Sequence, residues 1–180
     1  SVSNEVTYAH DLEAREDIMA ALSTISAKVG RRLRRKGLKG RTVAVKMRYD
    51  NRTTRSAQCS LAAPTDDDIA FAPVVHRLAE ELWAPGMKVR LLGVAVTHFE
   101  EDGAPVQEAL FDAAVLGGDG NADAVESEAL IRDEEKRRSL LAATDALQER
   151  FGDGTVRFGF ELRQSGNTTG SSSKNVEDYK

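Results

Sequence analysis

Asp66, Asp67 and Asp68 stand together, and clustered carboxylates are what two-metal nucleotidyl transfer requires. They follow Pro64-Thr65 at the start of an apolar periodic stretch, however, where Thr65 reads as a helix cap and acids are ordinary in the first turn. His10, His76 and His98 have no metal-ligand spacing and no acid–nucleophile arrangement beside them. Cys59 falls on the apolar parity of an alternating segment, which predicts a buried, inert thiol. Catalytic and metal sites are therefore not expected in this chain. The chemistry its residue types do favour is polyanion binding. Twelve basic residues between positions 26 and 56 (Lys28, Arg31, Arg32, Arg34, Arg35, Lys36, Lys39, Arg41, Lys46, Arg48, Arg52 and Arg55) face one acid, Asp50.

The overall charge conceals this block. The 180 residues carry 25 Lys+Arg and 29 Asp+Glu, a net of −4, but residues 1–64 are basic and residues 65–180 acidic. Hydrophobic residues make up 41%, enough for one core, and no apolar run approaches the ~20 residues of a membrane span. No secretory apolar region is found at the start. A single cysteine excludes an internal disulfide and fits a reducing compartment.

The elements that must position the basic residues follow from periodicity. Val2, Val6 and Tyr8 alternate with Ser1, Ser3, Glu5 and Thr7, which predicts a strand. Asp11 is the expected cap of a helix whose stripe is Ile18, Met19, Leu22, Ile25, Val29 and Leu33 and whose stop is Gly37. Val43, Val45, Met47 and Tyr49 alternate with Thr42, Ala44, Lys46 and Arg48; an Asp50-Asn51 turn and a strand over about Thr53 to Leu61 follow. A second helix carries Phe71, Val74, Val75, Leu78, Leu82 and Trp83, with Phe71 and Trp83 expected in the core, and Val89 to Phe99 reads as a central strand. The order βαββαβ predicts an α+β two-layer sandwich, a four-stranded sheet with two helices on one face, closing near residue 99. Beyond it come an acidic linker over 100–126, a helical segment within 127–162 and a Ser/Gly-rich tail over 163–180 that reads as disordered.

In such a sandwich the face away from the helices is available to a partner. That parity carries Ser1, Ser3, Thr7, Thr42, Lys46, Arg48, Thr54, Ser56, Gln58 and Ser60. Hydroxyls and amides fix a phosphate backbone in place while Lys and Arg supply attraction. The face has no aromatics for stacking bases, so it is suited to tracking a duplex without reading it.

The segments Ser1-Val2-Ser3, Thr7-Tyr8, Asp11-Leu12, Leu33-Arg34, Gly40-Arg41-Thr42-Val43, Thr54-Arg55-Ser56, Pro64-Thr65 and Val89 to Val94 come in an order that resembles the little-finger domain of Y-family DNA polymerases, of the bacterial DNA polymerase IV (DinB) type. The resemblance covers about residues 1–100. It implies a C-terminal fragment of a translesion DNA polymerase that grips primer–template duplex DNA, with Ser1, Ser3, Thr54, Arg55 and Ser56 as phosphate contacts. Lys46 and Arg48 join them from the parity reading. It also implies palm, fingers and thumb domains as partners, and Mg²⁺ bound in the palm. No residues here match the palm or fingers, so the fragment is not expected to synthesise DNA. The basic run 31–36 could approach phosphate at the domain edge, contact the other polymerase domains, or be solvated and complement the helix dipole.

Gln107-Glu108-Ala109-Leu110-Phe111 resembles the bacterial sliding-clamp binding peptide, with Gln107, Leu110 and Phe111 at its anchor places and Glu108 where Leu is commoner. Two adjacent apolar anchors can offset the ordering entropy of a linker segment. The implied setting is the bacterial cytoplasm, with no membrane partner. The alternatives are a stand-alone α+β module that binds RNA and one whose basic face meets an acidic protein.

Overall fold

The computed structural model describes residues 1–99, 122–152, 156 and 170–174. Gln107, Leu110 and Phe111 lie outside them. The elements are β1 (Val2–Leu12), α1 (Arg15–Arg35), β2 (Gly40–Tyr49), β3 (Thr54–Thr65), α2 (Asp68–Leu82), β4 (Val89–Phe99), α3 (Ala122–Phe151) and β5 (Gly170–Lys174). The chain divides into two compact units, one of residues 1–100 and 157–180 and the other of residues 101–156.

The first unit is the expected two-layer α+β sandwich. Its strands are antiparallel throughout, in the order β3-β2-β4-β1-β5. The core lies between one sheet face and α1 and α2. Val2, Val6, Tyr8, Val43, Val45, Met47, Tyr49, Leu92, Val94 and Val96 meet Ile18, Leu22, Ile25, Val29, Leu33, Phe71, Val75 and Leu78 there. Burial of its hydroxyl pushes the Tyr8 pKa well above the ordinary tyrosine value. The helix stripes recur at three- and four-residue intervals, so each helix turns one apolar face to the sheet. Phe71 is fully buried, and half-buried Trp83 packs at the core's edge, donating its indole N–H to the Met87 carbonyl at 2.9 Å.

Helix α1 ends as its glycine predicts. Gly37 takes φ +63°, Leu38 N–H reaches the Leu33 carbonyl at 3.0 Å and Gly37 N–H the Arg34 carbonyl at 3.0 Å, and Leu38 folds onto the core. Both expected N-caps differ. Strand β1 continues through Asp11, which pairs with Arg90, and Ala14 takes the cap position of α1 without a side-chain hydrogen bond. Thr65 closes β3 and its hydroxyl accepts from Asp67 N–H at 3.1 Å. Asp67 caps α2, accepting from Ile69 N–H at 2.9 Å and Ala70 N–H at 3.1 Å. A carboxylate reaching two orphan donors outcompetes a hydroxyl two residues upstream.

Two further differences lie toward the C-terminus. Helix α3 starts at Ala122, inside the stretch read as linker. Residues 170–174, read as part of a disordered tail, form β5, in register from Ser3↔Lys174 to Thr7↔Gly170. Strand addition needs only backbone donors and acceptors, which the outer edge of β1 supplies, so a Gly-Ser-Ser-Ser-Lys segment can join without an apolar alternation.

Candidate nucleic-acid interface

The register assembles the predicted surface on the sheet face away from α1 and α2. Lys46 pairs with Ser56, Arg48 with Thr54, Ala44 with Gln58 and Thr42 with Ser60. Side chains two apart on a strand share a face, so these eight positions form one surface, with Leu91, Gly93 and Ala95 of β4 beside them and Ser3, Glu5 and Thr7 of β1 beyond. Arg48, Thr54, Ser56, Gln58 and Ser60 are exposed. The Arg48 guanidinium donates through Nε to Thr54 Oγ1 at 3.3 Å, which holds it along β3. Thr42 Oγ1 and Ser60 Oγ are 3.4 Å apart. None of these strand positions is aromatic.

Three of the predicted contacts are placed differently. Ser1 precedes β1, and Ser3 is buried, its carbonyl accepting from Arg32 Nη1 at 2.9 Å. Arg55 pairs with Met47 and so takes the helix-side parity of β3 with Ala57 and Cys59. It is exposed, and its charge opposes the effect of burial that raises the Tyr49 pKa. β3 is the sheet's edge, so Arg55 reaches a ligand on the far face only around that edge.

One residue on this surface was not singled out from sequence. Glu5 lies opposite Gly93 on one side and Lys46 lies opposite Gly93 on the other. Across the bare glycine, Lys46 Nζ donates to Glu5 Oε1 at 3.0 Å and Oε2 at 3.2 Å. A Cβ on residue 93 would stand 2.8 Å from Glu5 Cγ and 3.6 Å from Lys46 Cβ, so glycine clears the pair's path. Only strand order could have revealed this, because Glu5 and Lys46 are 41 residues apart in the chain.

Much of the basic block serves the fold instead. Arg32 also reaches Asn4 Oδ1 at 3.3 Å. Arg34 Nη1 donates to the Asp66 carbonyl at 3.0 Å and Asp68 Oδ1 at 2.6 Å. Burial raises the Asp68 pKa while Arg34 pulls against it. Arg41 donates to the carbonyls of Leu61 and Ala62 at 3.3 and 3.4 Å. The Asp67 and Asp68 carboxylates are thus engaged as cap and ion pair, while Asp66 contributes its backbone carbonyl, and among the described residues no group of three or more His, Cys, Asp or Glu could hold a metal. Cys59 is half-buried rather than buried, because it sits on the edge strand, where the Arg77 guanidinium lies 3.2 Å from its sulfur. His76 Nε2 lies 2.9 Å from Ser23 Oγ between α1 and α2, and burial lowers its pKa.

A DNA polymerase IV of Desulfatibacillum aliphaticivorans is 29% identical over 156 residues, which cover 87% of this chain and 35% of that protein. A DNA polymerase IV of Lactococcus lactis subsp. lactis (strain IL1403) is 42% identical over 100 residues, covering 55% and 28%. Among solved structures, one described as a complex of a beta-clamp processivity factor and the little finger domain of PolIV is 22% identical, with a TM-score of 0.46, over 56% of this chain and 89% of that one. The chain spans about a third of the length of the curated relatives it matches. The family model for the impB/mucB/samB family C-terminal domain matches residues 1–110, more than half of the chain, and the chain belongs to that family.

Proposed function

We propose that residues 1–99 grip primer–template duplex DNA through its backbone phosphates, as the C-terminal module of a bacterial translesion DNA polymerase working in the cytoplasm. The observation that carries this is the gathering of Lys46, Arg48, Thr54, Ser56, Gln58 and Ser60 on one face of two paired strands. Cations there attract the sugar–phosphate backbone, and hydroxyl and amide groups fix it by hydrogen bonds that carry no sequence information. Ser1, at the start of β1, extends the surface, Ser3 lies on the same face but is buried, and Arg55 adds a cation around the β3 edge. The parent enzyme adds nucleotides opposite a template, damaged or intact, with Mg²⁺ held by carboxylates of its palm. Asp67 and Asp68 have other partners, as the cap of α2 and the ion pair with Arg34.

Gln107, Leu110 and Phe111 are the proposed anchor for the sliding clamp, bringing the polymerase to replicating DNA. Leu110→Ala combined with Phe111→Ala is expected to abolish capture of the clamp in a pull-down and to leave duplex binding intact. An unchanged pull-down removes the peptide as the anchor.

Filter binding of the 180-residue chain to a primer–template duplex at moderate salt, with duplex RNA as competitor, tests the main reading. Binding to DNA that duplex RNA displaces poorly is the expected result, because A-form grooves differ in width and display 2′-hydroxyls. Preference for RNA, or failure to bind DNA, overturns it in favour of an RNA-binding or acidic-protein-binding module.

A further inference from the structure

We infer that Glu5 is a built-in competitor for phosphate, holding Lys46 neutralised on the interface and thereby weakening the domain's grip on DNA. This rests on the reading of that face as the duplex-binding surface. Both carboxylate oxygens of Glu5 lie within hydrogen-bond distance of Lys46 Nζ, at 3.0 and 3.2 Å, over the unobstructed backbone of Gly93. The pair is not sealed in the core: the Lys46 and Glu5 side chains keep 38% and 30% of their exposure, so an arriving phosphate can reach the ammonium.

A surface selected only for tight phosphate binding would leave Lys46 to the ligand. Here a phosphate oxygen seeking Lys46 has to displace a carboxylate or share the ammonium with it, and it meets the negative charge of Glu5 nearby. Arg48, two residues along the same strand face, donates instead to the neutral hydroxyl of Thr54. Its charge is not offset in this way. The face therefore divides into a cationic margin at Arg48 of β2, flanked by the neutral hydroxyls and amide of β3, and a neutral centre over Gly93. Such a division suits a domain that must hold a duplex while letting it advance, since each phosphate crossing the centre is bound less firmly than one at the margin.

Four proteins separate this from its rivals: the unaltered chain, Glu5→Gln, Lys46→Gln and the double variant. Fluorescence anisotropy with a labelled 20-base-pair primer–template duplex is measured from ~50 to ~300 mM salt, the range over which phosphate contacts dominate. Glu5→Gln keeps the shape of the side chain and removes its charge. It is expected to bind about three- to tenfold more tightly at the low-salt end, with a log–log salt slope steeper by about one. Lys46→Gln, which leaves Glu5 without its partner, is expected to bind more weakly than the unaltered chain, and adding it to Glu5→Gln is expected to remove the gain. A second probe of the same pair is Gly93→Ala, whose new Cβ presses on Glu5 and is expected to tighten binding in the same direction. Thermal unfolding of each protein confirms that the folded state is retained.

If the unaltered chain binds DNA and Glu5→Gln binds equally well or more weakly, the competitor role is overturned while the interface stands; weaker binding would mean that Glu5 positions Lys46 for phosphate. If the unaltered chain does not bind the duplex at all, the interface itself is wrong and this inference falls with it.

Discussion

Arg34 and Lys46 come from the same basic block, and each holds an acid, but the two pairs lie on opposite sides of the sheet. Arg34 Nη1 meets Asp68 Oδ1 at 2.6 Å where α1 approaches the start of α2, with side-chain exposures of 17% and 9%. Lys46 meets Glu5 at 3.0 Å on the far face, with exposures of 38% and 30%. Both are bridged over a glycine: a Cβ on Gly30 would stand 2.5 Å from Asp68 Oδ1, and one on Gly93 would press on Glu5. The inner pair is held away from water by the helices around it, so losing a partner strands a charge. The outer pair is screened, so losing a partner changes what the surface offers a ligand. Density of charge along a chain thus does not measure charge on a binding face. Arg32 and Arg34 turn to the fold, Arg41 to backbone carbonyls, and Lys46 and Arg48 to the open surface.

The contrast can be broken most forcefully at the inner pair. Asp68→Ala or Arg34→Ala is expected to cost about 3 kcal/mol of unfolding free energy, read by urea titration, because each leaves the partner's charge largely buried. Gly30→Ala is expected to cost about 2 kcal/mol by forcing α1 from the Asp68 side chain. Duplex affinity per folded molecule should not follow either loss. If these variants unfold no more easily than the unaltered chain, the inner pair is not the structural one.

On the outer face the expected effects move to affinity. Arg48→Ala is expected to weaken duplex binding about fivefold and to flatten the salt slope by about one, with a stability change of about 0.5 kcal/mol or less. Arg55→Ala should weaken binding less than Arg48→Ala, since Arg55 takes the opposite parity of β3. A larger effect at Arg55 would place the duplex around the β3 edge rather than over the face.

The smallest effect is expected at His76, between the two helices. Burial lowers its pKa from the usual 6.5. The native state therefore disfavours the imidazolium, and the stability His76 contributes is present above pH 6.5 and lost as pH falls through its folded-state value. Unfolding free energy should decline across that acid window, and His76→Gln should flatten the decline. An identical pH profile for the variant would show that His76 is not its source.

Much of the fold was legible because its elements have clean periods. The alternation of Val43, Val45, Met47 and Tyr49 against Thr42, Lys46 and Arg48 marks the buried face and the open one at once, and the βαββαβ order then determines the layers. The caps were less legible. Asp11 and Thr65 have suitable side chains, but strand pairing carries β1 and β3 through both positions, and Asp67 takes the capping role at α2. β5 left no trace in hydrophobic pattern because Gly-Ser-Ser-Ser-Lys has no apolar alternation, and pairing with β1 asks only for backbone groups. At the interface, parity identified Lys46, Arg48, Thr54 and Ser56, whereas the Glu5–Lys46 pair depends on β4 lying between β1 and β2, which no local pattern encodes.

The central claim is that a face of cations and hydroxyls holds sugar–phosphate rails, and salt tests it most directly. Equilibrium binding of the 180-residue chain to a primer–template duplex, titrated with monovalent salt, should give a log–log slope of roughly −2 to −3, for the two or three phosphates that Lys46, Arg48 and Arg55 can neutralise. A slope near zero would contradict the account, because affinity would then not come from phosphate contacts.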